Sequence, residues 1–176
     1  MVKTQFDINV FGILRTIRAF LPHLRTQPPV SNIPPTILNI SSIGGLHGYP
    51  SNSVYCATKF ALEGLTQALA AEIAPFGMHA AVVEPGNFRT SFLSGTVSAG
   101  TANLAPALQV YEDTVAHKAR AAFAEFDGRQ LGDPVEEAKR IWEYAAGEGM
   151  FVGKGRRLRL PLGSDTGKVM RELSEE

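Results

Sequence analysis

A phenol and an ammonium stand one helical turn apart in the stretch SVYCATKFALEG, residues 53–64. Spacing of i,i+4 puts Tyr55 and Lys59 on one face of a helix. A phenol is an acid–base group, and a cation beside it favours its ionised form. An exposed helix pair, with the lysine stem covering the ring, explains the spacing equally well. The chemical reading therefore needs further residues.

Three places could supply them. Ser42 follows the run TILNIS, thirteen residues before Tyr55. In a parallel α/β sheet ligands bind at the carboxyl ends of strands, where a hydroxyl could meet a substrate carbonyl. A serine that satisfies loop backbone groups is the plainer alternative. Asn9 lies on the apolar stripe of the first helical pattern. A buried amide needs hydrogen-bond partners, so Asn9 is either structural or catalytic. EPGNFRT, residues 84–90, follows a second strand-like run. Pro85 and Gly86 turn the chain, and backbone N–H groups of such a turn can hold a carboxamide or phosphate.

These residues need elements to position them. Val2, Phe6, Val10, Ile13, Ile17 and Leu21 recur at three to four residues and predict an amphipathic helix starting near Met1, with Pro22 not fixing its end. QPPVSNIPP reads as a turn-rich connection. TILNIS predicts a short strand buried on both faces. A helix is expected from Tyr55 to about Ile73, with Ser51, Asn52 and Ser53 as possible caps. MHAAVVEP predicts a second buried strand. Asp133-Pro134 opens a helix through Ala145, and RRLRLPLG reads as a last strand. Strands alternating with helices imply an α/β fold with a parallel sheet.

The bulk properties agree with a globular chain. Of 176 residues, 44% are apolar and 19% charged, and Lys+Arg and Asp+Glu both number 17. Zero net charge gives no electrostatic ground for a nucleic-acid partner or a membrane surface. No apolar run reaches membrane-span length. One cysteine, Cys56, forms no internal disulfide and suits a reducing compartment, and MVKTQFDINVFG does not read as a signal peptide. A cytoplasmic location is expected.

Together these motifs resemble the short-chain dehydrogenase/reductase family. SVYCATK carries its Tyr-x-x-x-Lys, NISS its active-site serine, NVFG its helix-borne asparagine, and EPGNFRT its Pro-Gly-x-x-x-Thr turn. RLRLPLGSD is similar to the C-terminal stretch of one branch. The resemblance implies a truncated, Rossmann-like, doubly wound parallel sheet of about three strands with flanking helices. Residues 1–176 would form a single partial domain, with 91–130 covering the substrate. It implies hydride transfer between NAD or NADP and a small-molecule alcohol or carbonyl compound.

By the same resemblance, Asn9, Ser42, Tyr55 and Lys59 are catalytic, and Tyr55, Lys59, Pro85, Gly86, Phe88 and Thr90 hold the cofactor. Tyr55 is the general acid/base. Lowering a phenol pKa from about 10 by about three units takes roughly 4 kcal/mol. A cation at about 4 Å in an effective dielectric near 20 supplies that much, and Lys59 is the implied cation. Ser42 would orient the substrate oxygen, and Asn9 would support a proton path through water. Homo-oligomers would form through the helices containing Asn9 and Tyr55.

The family's glycine-rich dinucleotide turn and its Asn-Asn-Ala-Gly stretch are absent from the sequence. About 100 residues at ~30 per βα unit are expected to be missing, which would leave TILNIS as a bare edge. The alternative to an enzyme fragment is an inactive remnant that pairs with a full-length relative. A serine hydrolase using Ser42 and His47 lacks the G-x-S-x-G pattern. His23, His47, His79 and His117 lack metal-ligand spacing and read as surface or satisfied groups. Lys154, Arg156, Arg157 and Arg159 read as a solvated strand flank, Trp142 as core, and Gly12 as a site of close helix packing.

Overall fold

The computed structural model describes residues 2–93 and 108–175. The first helix is present in three continuous pieces: α1 (Val2–Phe6), a π-helical segment (Asp7–Gly12) and α2 (Ile13–Leu24). Its pattern runs through Pro22, which lies in the last turn of α2. Gly12 does not meet a neighbouring helix. A β-carbon there would stand 3.2 Å from Asp7 O, inside the wide turn of the π segment itself.

β1 (Thr36–Ile40) leads to α3 (Ser53–Ile73), then β2 (His79–Pro85), α4 (Val115–Phe126), α5 (Pro134–Ala146), β3 (Arg159–Leu162) and α6 (Ser164–Glu175). α5 opens as its sequence implies, with Val135 N donating to Asp133 Oδ1 at 2.8 Å and Pro134 in the first turn. α3 does not use its expected caps: Asn52 makes no side-chain cap bond and Ser51 Oγ is buried without a partner. α6 was not expected. It begins directly after the glycine that ends β3.

The strands run parallel in the order β1-β2-β3, with Ile37 opposite Ala80 and Val83 opposite Leu160. β2 is central and Ala80 through Glu84 are buried. Alternation sends Ala81 and Val83 to one face, against Tyr144 of α5 and Leu160 and Leu162 of β3. Ala80 faces the other side, with Leu69 and Ile73 of α3 and half-buried Ile17 and Leu21 of α2. Helices thus cover both faces of a three-stranded parallel sheet, the α/β arrangement expected.

Two burial expectations fail. β1 is not buried on both faces; it is the edge strand expected where the absent units leave TILNIS bare, with Thr36 to Leu38 half-buried and Ile40 46% exposed. Its fully buried residue is Asn39, whose Nδ2 donates to Thr66 Oγ1 at 2.9 Å. Trp142 is 65% exposed, because Ile141 and Tyr144 face the sheet from α5 and leave their neighbour outside. Among the described residues no helix is long and apolar enough to cross a membrane.

Candidate active site

The site is built at the carboxyl ends of β1 and β2. Ser42 has extended backbone (φ −172°, ψ 164°), and its Oγ accepts from Gly44 N at 3.1 Å, capping the short turn Ile43–Gly45. The plain reading of this serine is therefore correct as far as it goes. Ser42 and Tyr55 line one cavity. Gly44 packs directly on the phenol ring, since a β-carbon there would stand 3.2 Å from Tyr55 Cε1. Phe92 closes over the phenol ring at a centroid distance of 5.3 Å.

Burial raises the Tyr55 pKa to about 12, and the Ser42 hydroxyl only partly opposes this. Lys59 is also desolvated, which lowers it to about 8 against the pull of Glu63. Lys59 Nζ donates to Ile40 O at 2.9 Å and lies 5.6 Å from the Tyr55 ring centroid. The expectation that Lys59 lowers the phenol is therefore not met in this geometry. Removing water from the phenolate is the largest cause of the rise. At neutral pH Tyr55 is a protonated phenol, the form that donates a proton.

Asn9 lies in the π segment, and its Nδ2 donates to Thr58 Oγ1 at 3.1 Å. Thr58 is fully buried and donates in turn to Tyr55 O at 2.7 Å. The amide is thus satisfied by the helix that carries Tyr55 and Lys59. Thr58 escaped sequence reading, although it lies directly before the lysine.

The turn after β2 is held from a distance. Asp165, at the start of α6, accepts from Asn87 N and Nδ2, both at 2.7 Å. It presses so closely on Gly86 that a β-carbon there would stand 1.9 Å from Oδ1. Phe88 bridges Gly132, Arg89 N donates to Gly132 O at 3.0 Å, and Arg89 Nη1 donates to Gln130 O at 2.7 Å. Asp165 and Gln130 carry no local motif that would have marked them.

These parts enclose a cavity of about 510 Å³. Asn9, Ser42, Tyr55 and Lys59 line it together with Pro85, Gly86, Phe88 and Thr90. Every residue singled out from the sequence as catalytic or cofactor-binding therefore reaches one space. Gln130 also lines it, is 2% exposed, and has an Oε1 without a hydrogen-bond partner among the described residues. A buried amide oxygen in that state accepts readily from a bound N–H or O–H. The donor set fits the nicotinamide end of a dinucleotide.

The expected substrate-covering segment 91–130 is described only in part; Leu104 and the rest of 94–107 lie outside the described residues. Within it Phe92, Leu93 and Phe123 line the cavity, whereas Leu108 and Tyr111 are exposed. A second, apolar cavity of about 350 Å³, lined by Pro50, Ala119, Ala122 and Phe126, shares Tyr49 and Phe123 with the first.

Other candidates do not join the site. His47 is exposed with its ring on Tyr49 at 5.0 Å, and among the described residues no hydrogen bond joins it to Ser42. His79 is satisfied by Tyr144 Oη at 2.8 Å. The basic run is not simply solvated: Arg156 Nη2 donates to Ala145 O at 3.1 Å, and Arg159 pairs with Glu63 and Glu84.

Residues 1–101 match the family model described as short chain dehydrogenase. The chain belongs to the short-chain dehydrogenase family. It is similar to an uncharacterized oxidoreductase, YusZ, of Bacillus subtilis, with 34% identity over 164 residues, covering 92% of this chain and 53% of that protein. A short-chain dehydrogenase from Streptomyces avermitilis superposes with a TM-score of 0.74 at 32% identity, covering 99% of this chain and 57% of the other. A short chain dehydrogenase/reductase from Burkholderia phymatum, solved with NAD, shares the fold at a TM-score of 0.72 and 20% identity, over 97% of this chain and 56% of that one. Structural relatives in this family bind NAD or NADP. This dehydrogenase-family chain spans about half the length of these relatives.

Proposed function

We propose that these residues form the catalytic part of an NAD- or NADP-dependent oxidoreductase acting on an alcohol or carbonyl compound. One observation carries this reading: Ser42, Tyr55, Lys59 and the Pro85–Thr90 turn converge on one cavity at the carboxyl edge of a parallel sheet. A bound nicotinamide supplies the hydride donor or acceptor. Ser42 orients the substrate oxygen beside Tyr55. In carbonyl reduction Tyr55 Oη gives its proton to that oxygen, and in alcohol oxidation it takes the proton back. Lys59 has three N–H donors. It keeps one on Ile40 O and offers the others to the cofactor ribose and to a developing phenolate. Asn9 holds the π segment against α3 and supports a path for the proton through water. Residues 85–90, with Gln130, hold the carboxamide end.

The adjoining apolar cavity, with its Phe123 and Phe126 wall, suits an apolar substituent on the substrate. Phe11, Leu14 and Phe60 are exposed on the helices that carry Asn9 and Tyr55, which supports self-association through those helices. The adenosine end of the cofactor needs groups that these residues do not include.

A second reading is a non-catalytic chain that pairs with a full-length relative. The open edge of β1, with Ile40 46% exposed, favours it. Titration of the purified chain with NAD and NADP, followed by turnover of alcohols and ketones, separates the two. The enzyme reading expects cofactor binding, and activity that disappears in Tyr55→Phe while circular dichroism is unchanged. Undiminished turnover in Tyr55→Phe would overturn the role of Tyr55. Absence of binding by a folded chain favours the second reading.

A further inference from the structure

Two buried carboxyl groups lie beneath the site and take no part in the chemistry above. Glu84 is fully buried and immediately precedes the Pro85–Thr90 turn. Glu63 is 6% exposed and sits one helical turn after Lys59. Arg159 joins them: its Nη1 donates to Glu63 Oε2 at 2.7 Å and to Glu84 Oε1. Both carboxyl groups therefore lie side by side against the same arginine nitrogen. Their outer oxygens, Glu63 Oε1 and Glu84 Oε2, are buried without partners among the described residues. One arginine against two carboxylates would leave an uncompensated negative charge away from water, a costly state. One retained proton removes it.

The cluster touches each part of the site. Glu63 Oε1 and Ser41 Oγ crowd Gly45 so tightly that a β-carbon would stand 2.9 Å and 2.5 Å from them, under the turn that carries Ser42. Ser41 Oγ approaches Lys59 O at 3.5 Å, and Ile40 O takes the Lys59 ammonium. The ionisable groups that meet here are Lys59 and Glu63 from α3, Glu84 from β2 and Arg159 from β3. β1 and its turn contribute the Ile40 carbonyl and the Ser41 hydroxyl.

We propose that Glu63 and Glu84 hold one proton between them over Arg159, and that the charge left on Glu63 keeps Lys59 an ammonium. Both are positioning residues: neither is placed against substrate or cofactor, and each acts through the lysine and the two turns. Burial and the neighbouring Glu63 push the Glu84 carboxyl upward, with Arg159 opposing. Glu63 is likewise the group that opposes the desolvation of Lys59. The consequence for catalysis rests on the oxidoreductase reading, whereas the shared proton and the lysine charge do not.

The test is carbon-13 NMR on the full chain, with glutamate labelled at Cδ and lysine at Cε. One carboxyl group should titrate above pH ~6, well away from the ordinary glutamate value of about 4.3, and this titration should vanish in Glu84→Gln. The Lys59 signal, assigned by its loss in Lys59→Arg, should titrate about one unit lower in Glu63→Gln than in the parent. The parent titration tests the shared proton even where Glu63→Gln does not fold. The proposal is overturned if every glutamate titrates in the ordinary range, or if Lys59 is unmoved in a folded Glu63→Gln. Neither readout needs cofactor, so loss of the enzyme reading through absent NAD(P) binding leaves this result standing on its own.

Discussion

Arg159 and Leu160 are neighbours on β3, yet they serve opposite faces of the sheet. Leu160 joins Ala81, Val83 and Tyr144 in an apolar layer under α5. Arg159 reaches under α3 to two carboxyl groups with no such layer around them. The α5 face is held by area removed from water, which is indifferent to pH. The upper α3 face is held by a polar network whose cost and benefit both depend on which member carries a proton. The catalytic groups stand on the second face. The face that must keep a phenol and an ammonium poised is the one that carries titratable support.

The largest effects should come from these two residues, and they should differ in kind. Leu160→Ala empties a well-packed position and should cost about 3 kcal/mol, within the usual range for such truncations. Arg159→Ala leaves two carboxyl groups without their cation. It should cost about 3 kcal/mol at pH 8, toward the low end for a broken buried pair because the arginine side chain is 35% exposed. Urea unfolding at pH 5 and pH 8 separates them. The leucine variant should lose the same amount at both pH values. The arginine variant should recover much of its stability at pH 5, where both carboxyl groups can take protons. Equal losses at the two pH values for both variants would break the distinction between the faces.

Glu84→Gln sharpens it. The Glu84 carboxyl binds its proton more tightly folded than unfolded. Stability held at acid pH is therefore lost as pH rises from the ordinary glutamate range through the raised folded value. Lys59 works in the other direction. Its folded pKa, about 8, lies below the ordinary lysine value of 10.5. Folding is penalised while the group is charged, and stability is regained as pH rises from about 8 towards 10.5. The parent should thus show a dip in stability between these two windows. In Glu84→Gln the acid side of the dip should flatten while the alkaline rise remains. An unchanged profile in Glu84→Gln would mean that Glu84 is ordinary in the folded state.

Much of this was open to reading in the sequence, and the division follows distance along the chain. The i,i+4 pair of Tyr55 and Lys59, the cap at Asp133 and the buried run HAAVVEP are local patterns, and local geometry realises them. Glu84 was visible as a letter before Pro85, but its meaning depends on Arg159, 75 positions away. Asp165 holds Asn87 across 78 positions, and nothing near either residue announces the other. Burial failed for a related reason. TILNIS has the composition of a central strand, whereas being central depends on how many neighbours pair with it. Trp142 is apolar, but its direction on α5 is set by Ile141 and Tyr144. Charge states were the least legible. The expected effect of Lys59 on Tyr55 left out desolvation, which is the first cause of both shifts and is set by the fold.

The smallest effect concerns Asn9, for which the structural and catalytic readings were balanced. Its amide bonds Thr58 Oγ1, and Thr58 bonds the carbonyl of Tyr55. Thr58→Val keeps the shape and removes the hydroxyl. Asn9→Ala removes the amide and leaves Thr58 with its backbone bond. Each should cost about 1 kcal/mol, the ordinary net worth of a hydrogen bond. If Asn9 serves chiefly to hold the π segment against α3, the double variant should lose little more than either single one, with a coupling above about 0.5 kcal/mol in urea unfolding. If the losses simply add, the bond to Thr58 is not what keeps an amide on an apolar stripe. The role left for Asn9 is then in the cavity, where a proton has to travel.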